Sequence, residues 1–167
     1  GSYLALVAPD GLTLLSEFKN YEAQRSDVSY GVDNTDNLGF FKRPTPTAKN
    51  GSSIAGFVAD TQFSVDRGFY EDAFDLEITT ATDAATILYT LDGSAPERGS
   101  IFTPDHGTVY NEPVRIETTA TVRALAYKGG SEPTNIDTHT YLFIDDIAKQ
   151  PADPEGWPSD WGRDGEV

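Results

Sequence analysis

"ILYTLDGSAPERGSIFTPDHGTVYNEPVRI", residues 87–116, is the stretch whose reading decides the fold. It opens as a β-strand, with Ile87, Tyr89 and Leu91 alternating onto one face. It breaks at Asp92-Gly93, a pair whose backbone suits a tight turn, and becomes a strand again at Val114. Between the strands lie Pro96, Gly99, Pro104, Gly107 and Pro113, a scatter of charges and His106. Such a connection is either a binding or catalytic loop or the crossing between two sheets of a scaffold. Its length is tolerable for a crossing, because loop-closure entropy grows slowly with length. Asp92-Gly93 is explained by the turn and Pro96 by stiffening of the loop. Tyr89 is expected to fill the core with its hydroxyl on a backbone partner. The crossing is the favoured reading; the functional one would make Asp92 and Ser94 polar contacts at a ligand site.

Outward from this stretch, strand signals recur at 62–65, 74–80, 86–91, 113–117, 121–127 and 138–143. Each is rich in Val, Ile, Thr, Tyr or Phe and is closed by Gly, Pro or Asp. Val122, Ala124 and Ala126 share one face of their strand, and no helical period holds between Thr61 and Phe143. The fold expected is all-β, an immunoglobulin- or fibronectin-III-like antiparallel β-sandwich of about seven strands. Tyr89, Leu91, Val122 and Ala124 should be buried in it. Ahead of it, "YLALVAPDGLTLLSEF" has apolar residues on both sides of Pro9-Asp10-Gly11 and reads as an N-terminal β-hairpin extension. Leu4, Leu6, Val7, Leu12, Leu14, Leu15 and Phe18 give this hairpin too much apolar surface to leave in water. It is expected to dock on the sandwich or to pair with a second copy of the chain.

Composition narrows the function. The 167 residues carry 27 acids against 12 bases, a net charge of −15. That field repels phosphate backbones and anionic lipid, which disfavours nucleic acid and membrane surfaces as partners. No apolar run approaches the ~18 residues of a membrane span. There is no cysteine, so disulfides, thiolate chemistry and cysteine-based zinc sites are excluded. There is no methionine either, and Gly1-Ser2 reads as a cloning remnant ahead of an excised segment. The only histidines are His106, in a proline-glycine loop, and His139, in a threonine-rich strand. Neither has a nucleophile elbow or a cysteine to serve, and there is no phosphate-binding glycine loop. The chain is expected not to be an enzyme.

The segment "ATILYTLDGSAPERGS…VYNEPVRIETTATVRALAYKGGSEPTNIDTHTYLF" resembles the chitobiase/β-hexosaminidase C-terminal type of domain. The residues that carry the likeness are Tyr89 to Ser94 with Pro96, then Tyr110 and Pro113, then Thr121 to Ala124, and Thr140-Tyr141. The resemblance implies an immunoglobulin- or fibronectin-III-like module of a large secreted or surface-attached bacterial protein. The N-terminal stretch is similar to the closing strands of a bacterial lamin-tail-type domain. The tail is similar to the junction that leads into a spore-coat-kinase-like domain. Four segments follow: 1–32 as the end of the lamin-tail-like domain, 33–53 as a linker, 54–145 as the module, and 146–167 as an acidic linker or the start of the next domain. A short helical turn is expected at 145–150.

Several residues are candidates for binding. Aromatic rings on an open face stack on sugars, which selects Tyr70, Tyr127, Trp157 and Trp161. Tyr127 is expected to face outward beside Leu88 and Leu125, and that trio is an apolar patch of the kind that seats a neighbouring domain. Oxygen-rich clusters at 33–37 and 160–166 would admit calcium through Asp33, Asp36, Asp160 and Asp164, with Asp83 and Asp92 next in line. So acidic a chain also produces such clusters by chance, and no cofactor is expected. The function expected is a non-catalytic spacer whose partners are the neighbouring domains of its parent protein. The alternative is a carbohydrate-binding module for polysaccharide.

Overall fold

The computed structural model describes residues 2–99 and 104–149. Two compact units divide the chain, residues 1–56 and 57–167. In the first, β1 (Tyr3–Val7) and β2 (Leu14–Lys19) form the expected antiparallel hairpin. Asp10 makes its turn: one carboxylate oxygen accepts the Leu12 and Thr13 amides, both at 2.9 Å, and Gly11 takes φ +71°. Leu4, Leu6, Leu12 and Leu15 stand exposed on it. β3 (Ser29–Val32) and β4 (Leu38–Phe41) form a second antiparallel ladder.

The 33–53 segment, expected as a linker, is instead built into this unit. Phe40 and Phe41 are buried, Phe40 and Ile54 exchange backbone hydrogen bonds, and Tyr30 meets Phe40 edge-on at 4.9 Å. Polar turn residues mask the two phenylalanines in the sequence, and only burial reveals a strand there. β5 (Gly56–Phe57) spans the boundary between the units.

In the second unit the chain runs β6 (Thr61–Phe63), β7 (Gly68–Tyr70), β8 (Phe74–Leu76), β9 (Ile78–Thr80), β10 (Thr86–Thr90), β11 (Glu97–Arg98), β12 (Pro104–His106), β13 (Thr108–Val109), β14 (Val114–Ile116), β15 (Ala120–Tyr127), β16 (Ser131–Glu132), β17 (Asp137–Phe143) and α1 (Ile144–Ala148). A five-stranded sheet has the order β13-β10-β15-β17-β7. Its ladders are antiparallel except the edge pair β17–β7, which is parallel. The facing layer is made of β8 with β14 and β9 with β6. Between the layers Leu76, Ile78, Val114 and Ile116 pack against Ile87, Val122, Ala124, Ala126, Tyr141 and Phe143. The all-β sandwich expected from the sequence is thus the architecture found, and α1 (Ile144–Ala148) overlaps the stretch expected to form a helical turn.

Two of the four expected core residues are placed differently. Val122 and Ala124 are fully buried, but Tyr89 is half-buried and Leu91 lies past the strand end, exposed. The buried tyrosine with its hydroxyl on a backbone carbonyl is Tyr141, which donates to Val65 at 2.9 Å and is inaccessible to solvent.

Candidate functional site

The 92–113 connection does cross from the first layer (β10) to the second (β14), but it folds on the way. β11 pairs with β12, and β13 then joins the edge of the five-stranded sheet beside Leu88 and Tyr89. Gly107 makes that return possible: its φ is +102°, and a Cβ there would lie 3.0 Å from the Tyr89 carbonyl oxygen. The return brings together three residues that the sequence separates. Ser94 gives both its amide and its hydroxyl to Asp92 Oδ1, and His106 Nε2 lies 2.7 Å from Ser94 Oγ. With the serine proton committed to the carboxylate, the imidazole nitrogen is the donor to Oγ. A catalytic serine needs the opposite, a histidine that accepts its proton. The Ser94 hydroxyl, then the Ser94 amide and last the His106 charge hold the Asp92 carboxyl below its ordinary range. The trio is a lock on the loop, beside a shallow recess lined by Tyr89, Leu91 and Thr108.

The patch expected at Leu88, Leu125 and Tyr127 is not a surface. All three are buried, in a second core on the far side of the same sheet. Val109 of β13 and Ile136 pack against them, and the Arg98 guanidinium sits over the Tyr127 ring at 5.7 Å. The folded connection supplies Val109 and Arg98, so the element suspected of binding a ligand covers the face suspected of binding a neighbour. Tyr127 therefore offers no ring to a sugar. Tyr70 offers little more: it packs on Phe74 at 4.7 Å and near Tyr141 and Phe143, with its hydroxyl on the Asp66 carbonyl. Phe69, its neighbour, carries the exposed ring.

Asp33 is a turn-former. Its Oδ1 accepts the Thr35 amide at 2.8 Å, the Thr35 hydroxyl at 2.7 Å and the Asn37 amide at 3.0 Å, while Oδ2 accepts the Ser53 hydroxyl at 2.9 Å. These bonds, led by the Thr35 hydroxyl, hold its carboxyl far below the usual range. Asp36 sits at φ +63° in the same turn. Among the described residues no three His, Cys, Asp or Glu side chains converge as a metal site would require. Asp160, Asp164, Trp157 and Trp161 lie outside the described residues.

A larger groove, one the sequence did not single out, lies where β6 faces β17. Thr61, Gln62, Phe63, Asp66, Arg67, Ile136, Asp137, Thr138 and His139 line about 580 Å³. Phe63 and the His139 imidazole stack at 4.2 Å and 11°. The Thr61 hydroxyl donates to Asp137 Oδ2, and the Asn135 amide to Oδ1 at 2.9 Å. Two tyrosine hydroxyls pin the rim that carries Asp66 and Arg67: Tyr141 on the Val65 carbonyl and Tyr70 on that of Asp66. Burial, then the nearby Tyr70 and Asp66, push the Tyr141 phenol well above its usual range. Period-two alternation could have placed His139 on the inward face with Tyr141. The partners across the groove are 76 residues away and leave no local signal.

Two packed layers and a connection locked by its own polar residues define a β-sandwich module. Comparison agrees: residues 76–141, from the end of β8 into β17, match the Fn3 associated family. This is consistent with a fibronectin-III-related domain. No curated protein and no solved structure matches the chain.

Proposed function

We propose that the chain is a non-catalytic accessory module that spaces and orients the neighbouring domains of a large secreted or surface bacterial protein. The observation that supports it best is the use of both faces of one sheet as core. Leu88, Leu125 and Tyr127 fill one side, and Val122, Ala124 and Ala126 the other. A sheet packed on both faces resists bending, which is what a spacer needs. The resemblance of residues 85–143 to the chitobiase C-terminal type, and of the flanks to lamin-tail-type and spore-coat-kinase-like domains, supports the same reading. Calcium, on this reading, acts mainly by screening a net charge of −15.

The test places the chain between two fluorescent reporter domains and measures the distribution of their separation by single-molecule energy transfer. A spacer gives a narrow distribution that is insensitive to ionic strength. A distribution as broad as that of a glycine-serine linker of equal length defeats the proposal.

A further inference from the structure

We infer that the groove between β6 and β17 is a binding site for a neutral saccharide, with His139 as its central hydrogen-bond acceptor; this goes beyond the spacer role and does not depend on it. The tautomer follows from the hydroxyl beneath it. Tyr141 donates its proton to the Val65 carbonyl at 2.9 Å, so the contact of 3.4 Å with His139 Nδ1 has the imidazole as donor. A neutral imidazole with its proton on Nδ1 presents Nε2 as a bare acceptor. Phe63 covers one face of the ring, which leaves the ring edge to meet a ligand.

Around that acceptor the groove supplies both halves of hydrogen bonding. Gln62 and Arg67 donate, Asp66 and Gln62 accept, and none of these three side chains bonds to another described residue. Asp137 is already satisfied by Thr61 and Asn135 and serves as the closed end of the groove. The ligand class follows by charge and polarity. Two carboxylates in the groove and the −15 field turn away anions. Asp66, Asp137 and His139 do not converge as a metal site requires among the described residues, which turns away a lone cation. The mostly polar lining does not suit an apolar ligand. Neighbouring hydroxyls, each both donor and acceptor, fit what remains. The site is built, because two tyrosine hydroxyls fix the backbone of its rim.

The protein has two histidines, so its imidazole signals resolve into His139 and His106, the latter in the loop lock. The test titrates the whole chain with cellohexaose, xylohexaose, mannohexaose and, as an anionic counterpart, hexagalacturonate, following both imidazoles by NMR. The expected result is a saturable shift of His139 with at least one neutral hexasaccharide and none at His106. Arg67→Ala and Gln62→Ala, both exposed, should each weaken that binding about five-fold while leaving the backbone spectrum in place. No shift of His139 up to about 10 mM of any neutral probe overturns the assignment. So does a shift that both substitutions leave unchanged, or stronger binding of hexagalacturonate.

Discussion

Replacing Tyr141 with phenylalanine removes one oxygen from the centre of the second unit and tests how that unit is held. The ring is inaccessible to solvent and packs edge-on against Phe74 at 5.2 Å and Tyr70 at 5.8 Å. Phenylalanine keeps those contacts. What goes is the bond to the Val65 carbonyl at 2.9 Å and the acceptor for His139 Nδ1. A lost hydrogen bond costs about 1 kcal/mol net, and a carbonyl left unpaired in a half-buried place raises that to about 1.5 kcal/mol. For a domain of this size that lowers Tm by roughly 6–12 °C. Urea and thermal unfolding followed by circular dichroism measure it. Tyr110→Phe, whose hydroxyl bonds to no described residue, is the control and should fall within about 0.5 kcal/mol of the parent. The phenol also predicts an alkaline limit. Its folded pKa is raised above the unfolded value of 10.0, so its contribution is complete below about pH 10 and is lost as pH rises through the folded value. Tyr141→Phe should flatten that decline. A Tyr141→Phe protein as stable as Tyr110→Phe, with an unchanged alkaline slope, refutes the reasoning.

Three further outcomes are expected. Leu88→Ala should cost about 3 kcal/mol, the value for a leucine deleted from a packed core, and chemical denaturation will show a change under about 0.5 kcal/mol if the residue is in fact surface. Gly107→Ala places a Cβ 3.0 Å from the Tyr89 carbonyl at φ +102° and should cost about 2 kcal/mol, read as lost protection of the β10–β13 amides in hydrogen exchange. Asp10 has its carboxyl lowered to about 2 by the Thr13 hydroxyl, the Thr13 amide and the Leu12 amide. The hairpin turn it holds is therefore fully in place above the unfolded value of 3.8 and lost as pH falls through about 2. The Leu12 and Thr13 amide shifts should move over that range and not above it.

Alternation made the sandwich legible, because Val122, Ala124 and Ala126 can share a face only in a strand with one side buried. The same alternation misled at Leu88, Leu125 and Tyr127. Period two assigns these residues to the opposite face but cannot say whether water or protein lies there. Their cover, Val109 and Ile136, comes from segments whose placement depends on a glycine return and a loop. The loop lock was half legible: Asp92 and Ser94 announce a turn, whereas His106 arrives through the β11–β12 pairing. The His139 groove was the least legible part, since Thr61 and Asp137 meet across 76 residues. Asp33 was read as a ligand for what its oxygens and neighbours offer, but those same neighbours consume it as a turn.

The proposed spacer role rests on the second core, because an open apolar face at Leu88, Leu125 and Tyr127 would suit a docking module in place of a spacer. Paramagnetic relaxation by an inert soluble gadolinium chelate, read at side-chain methyl and ring protons, tests this most directly. Phe69 at 69% exposure is the internal reference for full access, and Val122 at 0% the reference for none. Leu88, Leu125 and Tyr127 should relax with Val122 and show nuclear Overhauser contacts to Val109 and Ile136. Relaxation of Leu88 as fast as that of Phe69, with those contacts missing, would contradict the account.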